Sequence, residues 1–160
     1  GNLKDYEGKI LFGKLESKEI DENSIVSERA YVGSQTHIYN DTLRNNLTLW
    51  NEAITDTHIK EVLERINLLS FLSRIDEQVS DGSFSEGQKQ RIGLIRAFLK
   101  GCSVVILDEA TANLDHKNAT RIEHLLLSDP NITYITVTHH LIKENELYFD
   151  EIIRLGEGTE

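Results

Sequence analysis

The spacing of apolar residues changes twice along the chain, and the changes divide it into three zones. From the N-terminus to about Gln35 the apolar residues come in short strand-like clusters, Ile10-Leu11-Phe12 and later Ala30-Tyr31-Val32. Between them a polar stretch starting at Glu16 shows no apolar stripe at helical spacing and reads as a loop. From about Asp41 to Lys100 the spacing becomes three and four. Ile59, Val62, Leu63 and Ile66 then share one helix face behind a Thr55-Asp56 cap, and Ile92, Ile95, Phe98 and Leu99 mark another helix. The third zone alternates. Residues 103–107, SVVIL, form an apolar run expected to be buried on both faces of a parallel sheet. A helix with Ile122, Leu125 and Leu126 follows, then a Pro130-Asn131 turn, the strand ITYITVT, and a last strand EIIRL at 151–155. Strand, helix and strand at this spacing predict right-handed crossovers in an α/β sheet.

Composition narrows the function classes. At 160 residues the chain makes about one domain. Seventeen basic against 27 acidic residues give a net charge of −10, which argues against a general binder of nucleic acid. Cys102 is the single cysteine, so an internal disulfide framework is excluded and a reducing compartment is expected. No apolar run approaches the roughly 20 residues that span a bilayer, and the N-terminus shows no signal-peptide pattern. A cytosolic setting is the expectation.

One stretch imitates a nucleotide site. GKILFGKL, residues 8–15, nearly matches the phosphate-loop pattern G-x-x-x-x-G-K-[ST], but its middle is bulky and strand-favouring and Leu15 stands where a magnesium-binding hydroxyl is needed. It is read as a strand between glycine turns. Stronger chemistry lies at the ends of two strands. SVVIL runs into Asp108 and Glu109, and ITYITVT runs into His139 and His140, at the carboxyl edge where α/β sheets gather functional groups. Asp108 is expected to hold Mg²⁺ through water, Glu109 to deprotonate an attacking water, and His139 to bond a terminal phosphate, while His140 is read as an ordinary loop histidine. Ser85 followed by Gln88 is a capping box that starts a helix, and Gly87 in its first turn admits close approach of another group. Such a helix start attracts anions.

These segments, taken in order, resemble the nucleotide-binding domain of ATP-binding cassette (ABC) transporters. FSEGQKQR, residues 84–91, is similar to the LSGGQ signature with its QR extension. VVILDEATANLD, residues 104–115, resembles the Walker B strand, catalytic glutamate and D-loop, VTHH carries the switch histidine at His139, and YVGSQTHIYNDTLRNNL, residues 31–47, resembles the Q-loop segment of exporter-class members. The resemblance implies a P-loop NTPase-like parallel sheet core with an inserted helical subdomain. Residues 1–38 would run to the Q-loop, 39–100 would form the helical subdomain, and 101–160 would hold Walker B, D-loop and switch histidine.

The resemblance also implies roles. ATP and Mg²⁺ would be bound between two such domains arranged head to tail, with Ser85, Gly87 and Gln88 touching the partner's nucleotide and Asp115 in the D-loop at the interface. Gln35 would contact magnesium and the γ-phosphate and link the site to a transmembrane domain, placing the chain on the cytoplasmic face of a membrane. Two departures stand out. Glu86 replaces a signature glycine and sets a carboxylate where binding of a polyphosphate would suffer. GKILFG fits the strand that follows the family's phosphate loop, so the chain is expected to begin downstream of that loop, to leave strand edges unpaired and to be inactive alone. Two other readings stay open: a non-hydrolytic module that offers only signature and D-loop, and a chromosome-maintenance ATPase, against which the Q-loop segment and the lack of heptads speak.

Overall fold

A computed structural model describes residues 7–155. Its first elements, β1 (Leu11–Phe12) and β2 (Leu15–Glu16), pair antiparallel across a turn in which Gly13 has φ +60°. GKILFGKL is therefore a small hairpin, as its strand-favouring middle implies, and only a three-residue 3-10 turn, Ser17–Glu19, follows it directly. The polar stretch after it is not all loop. Asp21 accepts the Ser24 N–H at 3.1 Å and starts a six-residue helix, α1 (Glu22–Ser27). A single capped turn and a half carries too few apolar positions to register as a helical stripe.

The chain then forms β3 (Arg29–Val32), the short β4 (Asp41–Thr42), α2 (Leu43–Thr48) and α3 (Asp56–Arg65), whose Thr55 cap accepts the His58 N–H. After a 3-10 segment at Leu69–Arg74 come β5 (Gln78–Val79) and α4 (Glu86–Lys100). The third zone supplies β6 (Val104–Asp108), α5 (His116–Leu127) and β7 (Thr133–Val137). β4 and β5 pair antiparallel, tying the start of the helical zone to the segment just before α4. β3, β6 and β7 form a parallel sheet in that order. β3 and β6 are neighbours joined by one long crossover that carries the helical zone and returns over the sheet through α4, so the α/β class with an inserted helical part is what the structure shows.

The sheet has two unlike faces. Register sets Ala30, Val105 and Tyr134 in one row and Val32, Leu107 and Thr136 in another, both on the face covered by α4 and α5. Tyr31, Ile106 and Ile135 lie on the opposite face with Asp108 and Val137. That outer face is uncovered among the described residues, so SVVIL alternates between buried and half-buried positions and is not buried on both sides as expected. The expected strand EIIRL does not form either: residues 151–155 join no strand ladder among the described residues, and Leu155 is 91% exposed. β-Favouring composition makes a strand only where a neighbour supplies the ladder.

The helical zone is closed. Leu43, Leu47, Ile59, Leu63, Ile66, Ile92 and Ile95 are all fully buried and pack α2 and α3 against α4. Asn46, also buried, accepts the Tyr39 N–H at 2.8 Å and donates to the carbonyls of Tyr39 and Thr42 at 3.0 Å each, while Arg96 on α4 donates to the Asn46 carbonyl at 2.7 Å and to that of His37 at 2.8 Å. Buried amide and guanidinium thus fix the segment after β3 to the helices.

Candidate nucleotide site

The sheet delivers its loaded ends side by side. β6 ends at Asp108 and β7 at Val137, and the Glu109 N–H continues their ladder to the Val137 carbonyl at 3.0 Å. This brings the Glu109 carboxylate to 3.0 Å from His139 Nε2. The two residues lie 30 positions apart in sequence, and adjacent parallel strands make them a pair. Glu109 itself has φ +53°, in the left-handed region that a residue with a side chain occupies at a cost of about 1–2 kcal/mol. Asp108 points to the outer face, where the Tyr31 hydroxyl donates to its carboxylate at 2.7 Å. That bond, with the nearby negative charge, holds the Tyr31 phenol above its ordinary range. His140, the second histidine, only closes a local turn through Thr138.

At the start of α4, Ser85 and Gln88 form the expected capping box. Ser85 Oγ accepts the Gln88 N–H at 3.3 Å and Gln88 Oε1 accepts the Ser85 N–H at 2.9 Å. Neither side chain bonds to Asp108, Glu109 or His139 of the same chain. Glu86 is less of a liability than its sequence position suggests, because Lys89 Nζ lies 2.9 Å from it and 2.7 Å from Asp81. The two carboxylates, Asp81 first, hold the Lys89 ammonium above its ordinary range, so the acidic side chain faces a fixed cation. Gly87 admits a close approach: a methyl there would stand 2.8 Å from the Asn113 carbonyl oxygen.

Gln35 lies in the loop after β3, exposed, on the wall of a 520 Å³ cleft shared by β3, α2 and α4. Its side chain makes no hydrogen bond among the described residues and does not reach Asp108. Asp115 caps α5 by accepting the Asn118 N–H at 3.1 Å, and its carboxyl is held below the usual carboxylate range chiefly by the Asn118 side-chain amide. The structure thus joins Asp108, Glu109 and His139 at one edge, sets Ser85, Gly87 and Gln88 on a separate helix start, and leaves Gln35 and Asp115 facing outward.

Two residues of the site have no role assigned from sequence. Tyr31 enters there only as a strand residue that opens the Q-loop segment and Gln90 only as part of the signature's QR extension, yet Gln90 is 1% exposed and bonds toward Ser34, Glu109 and Asn113. The signal available for Gln90 is its spacing, with glycines three residues before and after it. Among the described residues no three His, Cys, Asp or Glu side chains converge on a metal position. A lone carboxylate at Asp108 suits Mg²⁺, which keeps most of its waters and takes further oxygens from phosphate, and it does not suit a metal that needs an all-protein cage.

A family model described as ABC transporter matches residues 1–112, more than half of the sequence. The chain belongs to the ABC transporter family. Among ABC relatives, an ATP-dependent lipid A-core flippase of Desulfotalea psychrophila is 30% identical over 142 residues, covering 84% of this chain and 25% of the relative. A probable ABC transporter ATP-binding/permease protein of Haemophilus influenzae is 33% identical over 141 residues, again covering 84% of this chain and 25% of the relative. The chain therefore spans about a quarter of the length of these ABC proteins. A solved bacterial Atm1-family ABC exporter with ATP bound matches with a TM-score of 0.76 at 21% identity, over 84% of this chain and 25% of that one, and so shares the fold.

Proposed function

We propose that this chain carries the hydrolytic edge of an exporter-class ABC ATPase and works with Mg²⁺-ATP held between two nucleotide-binding domains. The observation that carries the reading is the Glu109–His139 pair at 3.0 Å, at the ends of adjacent parallel strands and next to Asp108. Glu109 takes the proton of the attacking water, a contribution of about 10²–10⁴ in rate. His139, which holds Glu109 Oε1 in the free chain, bonds the terminal phosphate. Asp108 would hold Mg²⁺, and the ion would supply charge neutralisation at the phosphates.

Ser85, Gly87 and Gln88 act on the nucleotide of a second, head-to-tail domain. The absence of any hydrogen bond from the Ser85 or Gln88 side chain to the chain's own Asp108, Glu109 or His139 among the described residues, and the exposure of Ser85, support that division. Asp115 sits at the same interface. Gln35, exposed beside the cleft, links the nucleotide to a transmembrane domain docked on the helical zone, which puts the chain on the cytoplasmic face of a membrane. A nucleic-acid partner has no part in this reading.

Hydrolysis needs a phosphate loop, and GKILFGKL is a hairpin. The open outer face beside Asp108 and the unpaired EIIRL support completion of the sheet by a further segment that brings that loop. The test is Mg²⁺-dependent ATP turnover by the full-length protein and by the isolated 160 residues. Turnover is expected from the first alone. A full-length protein that binds ATP without hydrolysing it points instead to a non-hydrolytic module offering signature and D-loop.

A further inference from the structure

Gly87, Gln90 and Gly93 are spaced three apart on α4 and share one face. Each meets a different part of the site. A methyl at Gly87 would lie 2.8 Å from the Asn113 carbonyl oxygen, and one at Gly93 would lie 2.6 Å from Thr36 Oγ1 and 3.2 Å from Val32 Cγ1. The helix backbone is therefore pressed against the turn after Glu109 at one end and against β3 and the Gln35 loop at the other. Gln90 stands between the two contacts, buried to 1% exposure.

Its amide is used at both ends. Oε1 accepts the Asn113 N–H at 3.0 Å, while Nε2 reaches the Glu109 carbonyl at 3.4 Å and the Ser34 carbonyl at 3.5 Å. The Asn113 bond is the firm one; the two longer contacts give the donor end its direction. A buried amide must find such partners, and here all three lie outside its own helix. The turn it grips is the one that holds Glu109 at φ +53°, a conformation that persists only where the surroundings impose it.

We infer that Gln90 is a positioning residue for the hydrolytic reaction, a clamp through which movement of the Ser85 end of α4 is carried to the Glu109 turn and to the Gln35 loop. Gly87 and Gly93 bring the three parts close enough for one side chain to span them. The inference rests on the hydrolytic reading above.

The test uses full-length protein with Gln90→Met, which keeps the volume and loses both amide ends, and Gln90→Glu, which keeps an acceptor for Asn113. ATP turnover is measured together with amide hydrogen exchange of the peptide spanning residues 108–114. Gln90→Met is expected to lower kcat about ten- to a hundredfold with KM for ATP held within twofold, since a displaced catalytic group costs rate more than binding. Exchange in the peptide should quicken. Gln90→Glu should retain slow exchange at Asn113 and more of kcat than Gln90→Met. Unchanged exchange in Gln90→Met overturns the clamp whatever happens to turnover, and so does a loss of activity that only follows the loss of folded protein. A wild-type protein that binds ATP but never turns it over sinks the hydrolytic reading instead, and the exchange comparison still decides whether Gln90 holds the turn.

Discussion

Leu63, Ile92 and Ile95 in the helical zone are fully buried, whereas Tyr31, Ile135 and Val137 on the outer face of the sheet are 64%, 50% and 54% exposed. The two regions share α4, which seals the helical zone and covers only one side of the sheet. Cohesion and chemistry are thus separated. The helical zone supplies a closed core, while Asp108, Glu109 and His139 stand at the edge of a sheet whose second face is uncovered among the described residues, and Glu109 is held in a strained backbone conformation.

The sharpest way to break this comparison is to delete side-chain methyl groups in each region of the 160-residue chain. Ile95→Ala should lower unfolding free energy by about 2–5 kcal/mol, and Ile135→Ala on the open face should change it by no more than about 0.5 kcal/mol. Equal losses in denaturant titrations would mean that the outer face is covered in solution. Glu109→Gly comes next in size. Removing the side chain from a left-handed position should raise stability by about 1–2 kcal/mol while abolishing turnover in the full-length protein, so a destabilised variant would show that φ +53° carries no strain.

Tyr134 sharpens the contrast on the covered face. Its hydroxyl is buried without a hydrogen-bond partner among the described residues, and burial pushes the phenol up to about 12. Tyr134→Phe should stabilise the chain by about 1 kcal/mol, because an unpaired polar group leaves the interior. The wild type should lose stability as pH rises above about 10, where the unfolded phenol ionises first, and the variant should lose less. Alkaline melts of both proteins check this.

The smallest effect lies in the helical zone. Asp41 accepts from the Thr42 N–H, the Asn45 amide and Trp50 Nε1, with Thr42 the largest influence, and is held below the usual carboxylate range. Its contribution is present above the unfolded value of about 3.9 and is lost as pH falls through the lower folded one. Trp50 is the single tryptophan, so its fluorescence should change with a midpoint below about pH 3.9, and Asp41→Asn should remove that step. A midpoint at or above the ordinary value would contradict the bonding at Asp41.

What could be read from sequence follows the same division. The helices at Asp56–Arg65 and Glu86–Lys100 announced themselves because a self-contained core imposes full periodicity on its members, and Asp108, Glu109 and His139 because strand ends in α/β sheets concentrate chemistry. EIIRL and the two-sided burial of SVVIL misled because both depend on neighbours that local composition cannot reveal. α1 was too short to show a stripe. The role of Gln90, quoted only as part of the signature's extension, escaped because a buried polar side chain looks the same in sequence as a solvated one, and only the 87-90-93 contacts disclose where it points.

Glu109 carries the central claim, and its measurement is Mg²⁺-ATP turnover by the full-length protein beside the same protein with Glu109→Gln. The exchange keeps size and hydrogen bonding to His139 but removes the base. Turnover reduced by about 10²-fold or more with ATP still bound is the predicted result. Turnover within a few-fold of wild type would contradict the account, since the strand-end pair would then not be the hydrolytic machinery.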